Sequence, residues 1–243
     1  MRLFGLIGYP LSHSFSKSFF TKKFEREGRK DCRYELFPLH SINELPALIK
    51  NYPELEGINV TIPYKKQVLP FLNRNKIPAG LEACNCIRSD KNGLTGFNTD
   101  ITGFKASILP MLHSYHCRAL VLGNGGAAEA VVFVLKELGI SYEIVGRKIY
   151  KGATLTYSDI NDEIIKEHKL IINTTPLGMY PHSDACPDIP YESITNLHLL
   201  FDLIYNPSKT LFLRKGEERG AVIKNGEEML VLQAEESWSI WNS

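Results

Sequence analysis

Residues 118–139 read RALVLGNGGAAEAVVFVLKELG, and their pattern decides the fold. An apolar run, 119–122, stops at Gly123, and glycines follow at 125 and 126. The next stretch carries apolar residues at Ala127, Ala130, Val131, Val134, Leu135 and Leu138. Those offsets trace one face of a 3.6-residue period, so the segment reads as strand, glycine turn and helix. The loop has the form G-x-G-G-x-A. Gly123 supplies the tight turn. Gly125 and Gly126 lack a Cβ, so a pyrophosphate can approach the backbone and meet the helix N-terminal amides. With strand and helix both in place, a dinucleotide site is expected at Gly123, Asn124, Gly125, Gly126 and Ala127; the competing reading is an empty structural turn. No G-x-x-x-x-G-K-[S/T] occurs, which excludes a P-loop.

The following strand, SYEIVGRK (141–148), ends in Gly146, Arg147 and Lys148. A site for NAD places an acidic residue there, on the ribose 2′-hydroxyl. Two cations suit a 2′-phosphate instead, and Glu143 lies too early in the strand, so NADP is expected over NAD. The alternative is an ordinary basic loop. Further on, KLIINTTPLGM (169–179) reads as a buried strand ending at Thr174 and Thr175. LLFDLIY (199–205) reads as another, ending at Tyr205. In open parallel sheets ligands bind beyond the carboxyl ends of strands, where these polar residues should collect. Turn capping explains the two threonines equally well.

Working outward, strands and helices alternate along the chain, which argues for α/β with mostly parallel sheets. LFGLIG (3–8), CRYELFPL (32–39) and GINVTI (57–62) read as strands. SFSKSFFTKKFEREG (14–28) reads as a helix with Phe15, Phe19 and Phe20 on one side, charges opposite and Gly28 as its stop. SINELPALIK (41–50) reads as a helix capped by Ser41. CNCIRSDKNGLTGFNTD (84–100) reads as a hairpin with a type I′ turn at Asn92-Gly93. ITGFKASILPMLHSY (101–115) is a helical connector, and GEEMLVLQAEESWSIW (226–241) a final amphipathic helix. The expected domains are 1–100 plus 227–243, and 101–226.

Bulk properties narrow the function. The chain has 243 residues, 44% hydrophobic, 23% charged, with a formal net charge of +1. That is enough for one large domain or two modest ones, and gives no nucleic-acid footprint or polybasic membrane patch. No apolar stretch has the length of a membrane span, and Gly8, Tyr9 and Pro10 interrupt the N-terminal apolar run, against a signal peptide. The cysteines, Cys32, Cys84, Cys86, Cys117 and Cys186, are odd in number and contain no C-x-x-C, so neither a disulfide framework nor a metal site is expected, and a reducing cytoplasm is. HSYHC (113–117) has spacing a metal can use but no partner cluster, and reads as a polar helix end or loop.

The first hundred residues gather small polar groups at strand ends: Ser14, Ser16, Asn59, Thr61, Lys65, Asn85, Asn98, Thr99 and Asp100. Hydroxyls, amides, one lysine and one carboxylate suit a small polyol that also carries a carboxylate. Each has a plainer reading too: Ser14 or Asp100 as a helix cap, Thr61 as a β-former, and the pair Lys65-Lys66 as solvated charge.

GYPLSHSFSKSFF, INVTIPYKKQV, EACNCI, GFNTD, GNGGAAEA, INTTPLGM and LQAEESWSIW, taken in order, resemble the segments of the shikimate dehydrogenase family over almost the whole chain. The resemblance implies two α/β domains, an N-terminal substrate domain and a Rossmann-type NADP-binding domain, with the C-terminal helix returning to the first. It implies NADP-dependent, reversible reduction of 3-dehydroshikimate to shikimate. By motif, Lys65 and Asp100 correspond to the catalytic pair, with Lys66 left as solvated charge. Ser14, Ser16, Asn59, Thr61, Lys65, Asn85, Asp100, Tyr205 and Gln233 correspond to substrate contacts. Gly123, Asn124, Gly125, Gly126, Ala127, Gly146, Arg147, Lys148, Thr174, Leu203, Gly226 and Met229 correspond to cofactor contacts.

Departures exist. Where the family has S-x-S-P-x-x-H-N, Lys17 replaces the proline and Phe19-Phe20 are read as replacing the His-Asn pair. Asn85 and Arg147 are retained within altered neighbours. The partner is then a small molecule, with no nucleic acid or membrane, and the chain a monomer or homodimer. Quinate or mixed quinate/shikimate dehydrogenase is the nearest rival, and a non-catalytic NADP-binding sensor the rival from another class.

Overall fold

The computed structural model describes residues 1–11 and 14–243. By density of contact the chain divides into two units, Met1–Thr102 with Gln233–Ser243, and Gly103–Leu232. Among the described residues no helix is long and apolar enough to cross a membrane.

The first unit runs β1 (Arg2–Gly8), α1 (Phe15–Arg26), β2 (Cys32–Pro38), α2 (Leu45–Asn51), β3 (Leu55–Val60), β4 (Arg74–Asn75), β5 (Cys86–Asp90), β6 (Gly93–Phe97) and the start of α3 (Thr99–Ile108). The sheet order is β2-β1-β3-β5-β6-β4. β1 pairs parallel with β2 and β3, but β3–β5 and β5–β6 are antiparallel, so this sheet is mixed. The pairing of Asn59 with Cys86, and of Cys86 with Phe97, brings the end of β3, the start of β5 and the end of β6 to one edge. Asn59, Asn85 and Asn98–Asp100 converge there for that reason.

An aromatic cluster fills one side of this sheet. Phe20 of α1 lies parallel to Tyr34 at 4.7 Å, and Trp241 stacks on Phe4 at 5.0 Å. Gly57 makes that packing possible: a Cβ there would sit 2.4 Å from the Trp241 ring. The indole N–H also donates to Ile87 O at 3.0 Å. Aromatic pairs of this kind contribute about 0.5–1.5 kcal/mol each beyond burial.

The second unit runs β7 (Arg118–Leu122), α4 (Gly126–Glu137), β8 (Ser141–Gly146), β9 (Leu155–Thr156), α5 (Asp162–Glu167), β10 (Leu170–Asn173), β11 (Leu199–Asp202), α6 (Leu211–Glu218), β12 (Val222–Lys224) and the start of α7 (Glu227–Trp241). All six strands pair parallel, in the order β12-β11-β10-β7-β8-β9. Counted within the unit this is 3-2-1-4-5-6, the Rossmann order, whose switch point lies between β7 and β10. The chain is α/β, as expected.

Several local expectations need correction. Only Gly93 of the β5–β6 turn has positive φ, at +94°. Asp90 pairs with Gly93 and its Oδ1 accepts from Asn92 N at 2.7 Å. That is a turn closed by a glycine bulge, not a type I′ turn, because Asn92 keeps negative φ. The α1 face that is buried holds Phe20, Lys23 and Phe24, so a charge lies on the apolar side. Lys23 is tolerated there because Glu27 and Glu235 take its ammonium at 2.8 and 2.7 Å. In α4, Ala128 faces the core and Ala127 is exposed. β11 ends at Asp202, not at Tyr205, because the Asp202 carboxylate accepts from Ile204 N at 3.0 Å and turns the chain. Counting S-x-S-P-x-x-H-N from Ser14 sets the family's His and Asn at Phe20 and Thr21, one residue later than expected.

Candidate active site

β3 stops at Val60, residues 62–68 form consecutive turns, and Leu69–Phe71 forms a 3-10 turn. Lys65 therefore sits in a turn and not at the start of a helix. Its carbonyl accepts from Cys84 N at 2.8 Å and is withdrawn from a helical ladder. This anchors Lys65 beside the chain entering β5. Lys65 Nζ donates to Asp100 Oδ2 at 2.6 Å, with the side chains 27% and 18% exposed. Lys66 points elsewhere, half-exposed and 3.9 Å from Glu82.

Asp100 is held from three directions. Asn85 Nδ2 donates to its Oδ1 at 2.8 Å. Asn98 Oδ1 accepts from Asp100 N at 3.0 Å and from Ile101 N at 3.4 Å, so Asn98 caps α3 and leaves the Asp100 carboxylate for Lys65. Thr99 N donates to Asn85 Oδ1 at 2.6 Å, fixing the amide that holds Asp100. Asn85 is itself buried and hydrogen-bonds Thr99 and Asp100. The arrangement aims an ammonium with three hydrogens, one of them accepted by Asp100, from a rigid carboxylate support.

The remaining expected substrate residues divide. Asn59 is buried, and Tyr34 Oη donates to its Oδ1 at 2.8 Å. Ser14 caps α1, accepting from Lys17 N at 3.3 Å, so its plainer reading holds locally. Ser16 hydrogen-bonds Tyr34. Thr61 N donates to Ile7 O at 3.0 Å and its side chain is half-buried. Gln233 is buried on α7, its Oε1 accepting from Thr99 Oγ1 at 3.3 Å. Tyr205 is exposed, in the second unit, three residues past β11. Lys17, at the family's proline position, pairs with Glu35 at 2.9 Å.

Sequence reasoning missed Tyr34, Thr99 as a network member, and Ser237. The hydroxyl of Ser237 on a helix reads as a weak helix former until the sheet beneath it is known. The two cysteines beside Asn85 are buried. Burial pushes the Cys84 thiol up to about 11 and the Cys86 thiol higher still.

In the second unit, Gly123 has φ +105°, and a Cβ there would meet Thr174 Oγ1 at 2.7 Å. Thr174 Oγ1 donates to Leu122 O at 2.8 Å, joining the ends of β7 and β10 at the switch point. A Cβ on Gly125 or Gly126 would meet nothing within 4 Å. Gly125 is the N-cap of the twelve-residue α4 and has no side chain to cover the helix amides. Open space, bare amides and a helix N-terminus fit a diphosphate. Asn124 Nδ2 donates to Tyr150 O at 2.6 Å, fastening the glycine loop to the loop after β8. Arg147 and Lys148 are exposed in that loop. Lys151, which was not singled out, adds a third cation at φ +50°. Gly226 packs where a Cβ would lie 2.1 Å from Leu203 O, with Met229 one turn on along α7.

Among the described residues, Asp202 is met by neutral donors. Thr210 Oγ1 donates to it at 2.6 Å and Asn173 Nδ2 at 3.0 Å. Burial pushes its carboxyl up to about 6. Among the described residues no His, Cys, Asp or Glu cluster is placed to hold a metal. In the HSYHC segment, His116 Nδ1 accepts from His113 N at 3.0 Å, closing a local turn.

Residues 6–87 match the family described as "Shikimate dehydrogenase substrate binding domain". A "Shikimate dehydrogenase (NADP(+))" from Clostridium beijerinckii is 39% identical, the match covering 99% of this chain and 92% of that one. The chain belongs to the shikimate dehydrogenase family. The corresponding enzyme of Carboxydothermus hydrogenoformans is 34% identical over 99% of this chain and 91% of its own. Among solved structures, the shikimate dehydrogenase of Thermus thermophilus in complex with NADP(H) and shikimate superposes with a TM-score of 0.85 at 28% identity, covering 99% of this chain and 93% of that one. A chorismate mutase/shikimate 5-dehydrogenase fusion protein from Clostridium acetobutylicum gives 0.86 at 34% identity, over 100% and 91%. Family membership accounts for the motif order, and the geometry above is this chain's own version of it.

Proposed function

We propose that this chain is an NADP-dependent shikimate dehydrogenase, reversibly reducing 3-dehydroshikimate to shikimate in the route to chorismate and the aromatic amino acids. The observation that carries the reading is the Lys65–Asp100 pair, held by Asn85 and Asn98 at the edge where the substrate-side polar residues converge. Met1–Thr102 with Gln233–Ser243 is the substrate-binding catalytic unit, and Gly103–Leu232 the NADP-binding unit.

NADPH, when bound, supplies the hydride to the carbonyl carbon. Lys65 Nζ hydrogen-bonds the ketone oxygen, polarises it and delivers the proton that turns it into the alcohol. Asp100 keeps the ammonium on that line and accepts from the neighbouring substrate hydroxyl. In the oxidation direction Lys65 takes the alcohol proton back. Ser14, Ser16, Asn59, Thr61, Asn85, Tyr205 and Gln233 bind the hydroxyls and carboxylate. The diphosphate lies on Gly123, Asn124, Gly125, Gly126 and Ala127, and the 2′-phosphate on Arg147 and Lys148 beyond Gly146. Thr174, Leu203, Gly226 and Met229 complete the cofactor side. Five thiols without disulfides suit the cytoplasm, and the chain acts as a monomer or homodimer.

The test is absorbance at the NADPH band with shikimate and NADP⁺, repeated with quinate and with NAD⁺. Turnover with shikimate and NADP⁺, exceeding the other combinations in kcat/KM, is expected. No turnover with shikimate overturns the proposal, and equal rates on quinate move it to the mixed-substrate rival.

A further inference from the structure

Ser237 of α7 is fully buried at the centre of the first unit's polar network. Its Oγ donates to Gln233 O at 2.9 Å. A carbonyl only accepts, so the single hydroxyl hydrogen is committed there. Asn59 Nδ2 donates to the Ser237 oxygen at 3.0 Å, and Thr99 Oγ1 lies 3.3 Å from it; with the Ser237 hydrogen on Gln233 O, Thr99 is the donor of that pair. The second Nδ2 hydrogen is directed at Asn85 O, 3.4 Å away. At the other end Tyr34 Oη donates to Asn59 Oδ1 at 2.8 Å. Burial holds the Tyr34 phenol well above its usual value, so it keeps its hydrogen and remains a donor.

The two faces of the Asn59 carboxamide are thus chemically distinguished. A flipped amide would set its oxygen against the Asn85 carbonyl and against a Ser237 oxygen that has no hydrogen left. It would also turn its NH₂ toward Tyr34 Oη, which would have to give up its bond to Asn59 and redirect its hydrogen to Ser16. In the observed orientation both amide hydrogens are used, and among the described residues Tyr34 alone donates to Oδ1, leaving it one lone pair.

We infer that Ser237 and Tyr34 are positioning residues that lock the Asn59 carboxamide in one orientation, so that Asn59 meets the substrate as a hydrogen-bond acceptor from one hydroxyl and not as a donor to its carboxylate. The substrate half of this inference rests on the function proposed above; the orientation half rests on the chain's own hydrogen bonds.

The orientation is tested by NMR on the full chain, with the Asn59 side-chain amide assigned through Asn59→Asp. Slow solvent exchange of both Nδ2 hydrogens is expected in the wild type and fast exchange in Ser237→Ala. Fast exchange in the wild type overturns the lock. The substrate half is tested by kinetics. Ser237→Ala should raise KM for shikimate about five- to tenfold, the scale of one buried hydrogen bond, with less than about twofold change in kcat or in KM for NADP⁺. Tyr34→Phe should act in the same direction, and the double variant should be little worse than either single one, since both release the same amide. Exposed Ser239→Ala on the same helix is the control. A thermal scan confirms that each variant is folded at the assay temperature. Equal falls in kcat for both substrates, with KM unchanged, mark a purely structural hydroxyl and overturn the inference. Finally, shikimate analogues with one hydroxyl replaced by fluorine accept but do not donate. One of them should bind about tenfold more weakly to the wild type and lose most of that penalty in Asn59→Ala. Uniform binding of all analogues overturns the acceptor role. A wild type that does not turn over shikimate at all overturns the functional reading and the substrate half together, while the exchange result still decides the lock.

Discussion

Asp100 and Asp202 lie in different units, and both accept hydrogen bonds at each carboxylate oxygen. Their partners differ in charge. Asp100 faces an ammonium at 2.6 Å and keeps some exposure. Asp202 is fully buried, accepts from hydroxyl, amide and peptide donors, and its carboxyl is pushed up to about 6. A carboxylate given a cation and an opening supports chemistry. One given neutral donors and no opening ties strand to turn. The contrast also separates Lys65 from Lys66: Lys65 bonds Asp100 at 2.6 Å with both side chains largely covered, whereas Lys66 is half-exposed and 3.9 Å from an exposed Glu82.

The comparison can be broken most directly at the cation. Lys65→Ala should lower kcat about a thousandfold with a modest change in KM for shikimate, while Lys66→Ala changes kcat less than about twofold. Steady-state kinetics on both variants decide it, and equal losses would sink the separation. Asp100→Asn keeps the shape but removes the charge that aims the ammonium. A kcat loss of about ten- to a hundredfold is expected, smaller than for Lys65 because the proton donor remains. On the cofactor side, Arg147→Ser with Lys148→Ser should lower the NADPH-over-NADH ratio of kcat/KM about tenfold or more, read from parallel assays with the two cofactors. Unchanged preference would move the 2′-phosphate away from this loop.

The smallest expected effect is at Asp202. Its folded carboxyl is raised above its unfolded value, so the folded state binds the proton more tightly. This group's contribution to stability is present below about pH 4 and is lost as pH rises through about 6. Asp202→Asn keeps an oxygen for Ile204 N and removes that loss. The variant's melting temperature should gain on the wild type between pH 4 and pH 7, by the equivalent of about 2 kcal/mol. A constant difference across that range would assign Asp202 no titration.

The Rossmann unit was legible because its signals are local. A glycine loop between a strand and a helix has few physical solutions, and six parallel strands follow from alternation. Ala127 was misplaced because two adjacent alanines give no contrast in hydropathy. The substrate unit was legible as a set of residues but not as a network. Asn59, Asn85 and Asp100 converge through antiparallel register, which no spacing in the chain encodes. The Lys65 carbonyl accepts from Cys84 N, nineteen residues away, a contact that local sequence does not encode. Tyr34 and Ser237 carried no polar signal of their own, because an isolated tyrosine in a strand and an isolated serine in a helix are ordinary. Phe20 departed from the family pattern yet is explained by its neighbours, stacking on Tyr34 within the aromatic cluster.

The paired cysteines around Asn85 have a practical consequence for labelling. Cys84 and Cys86 are inaccessible, and their thiols are pushed up by burial, so at neutral pH neither is a reactive thiolate. Cys117 is exposed, and Cys32 and Cys186 are half-covered. A maleimide fluorophore will therefore attach first at Cys117, in the loop before β7, and leave the residues flanking Asn85 untouched. The natural sequence already contains a handle for fluorescence measurements of the nucleotide unit.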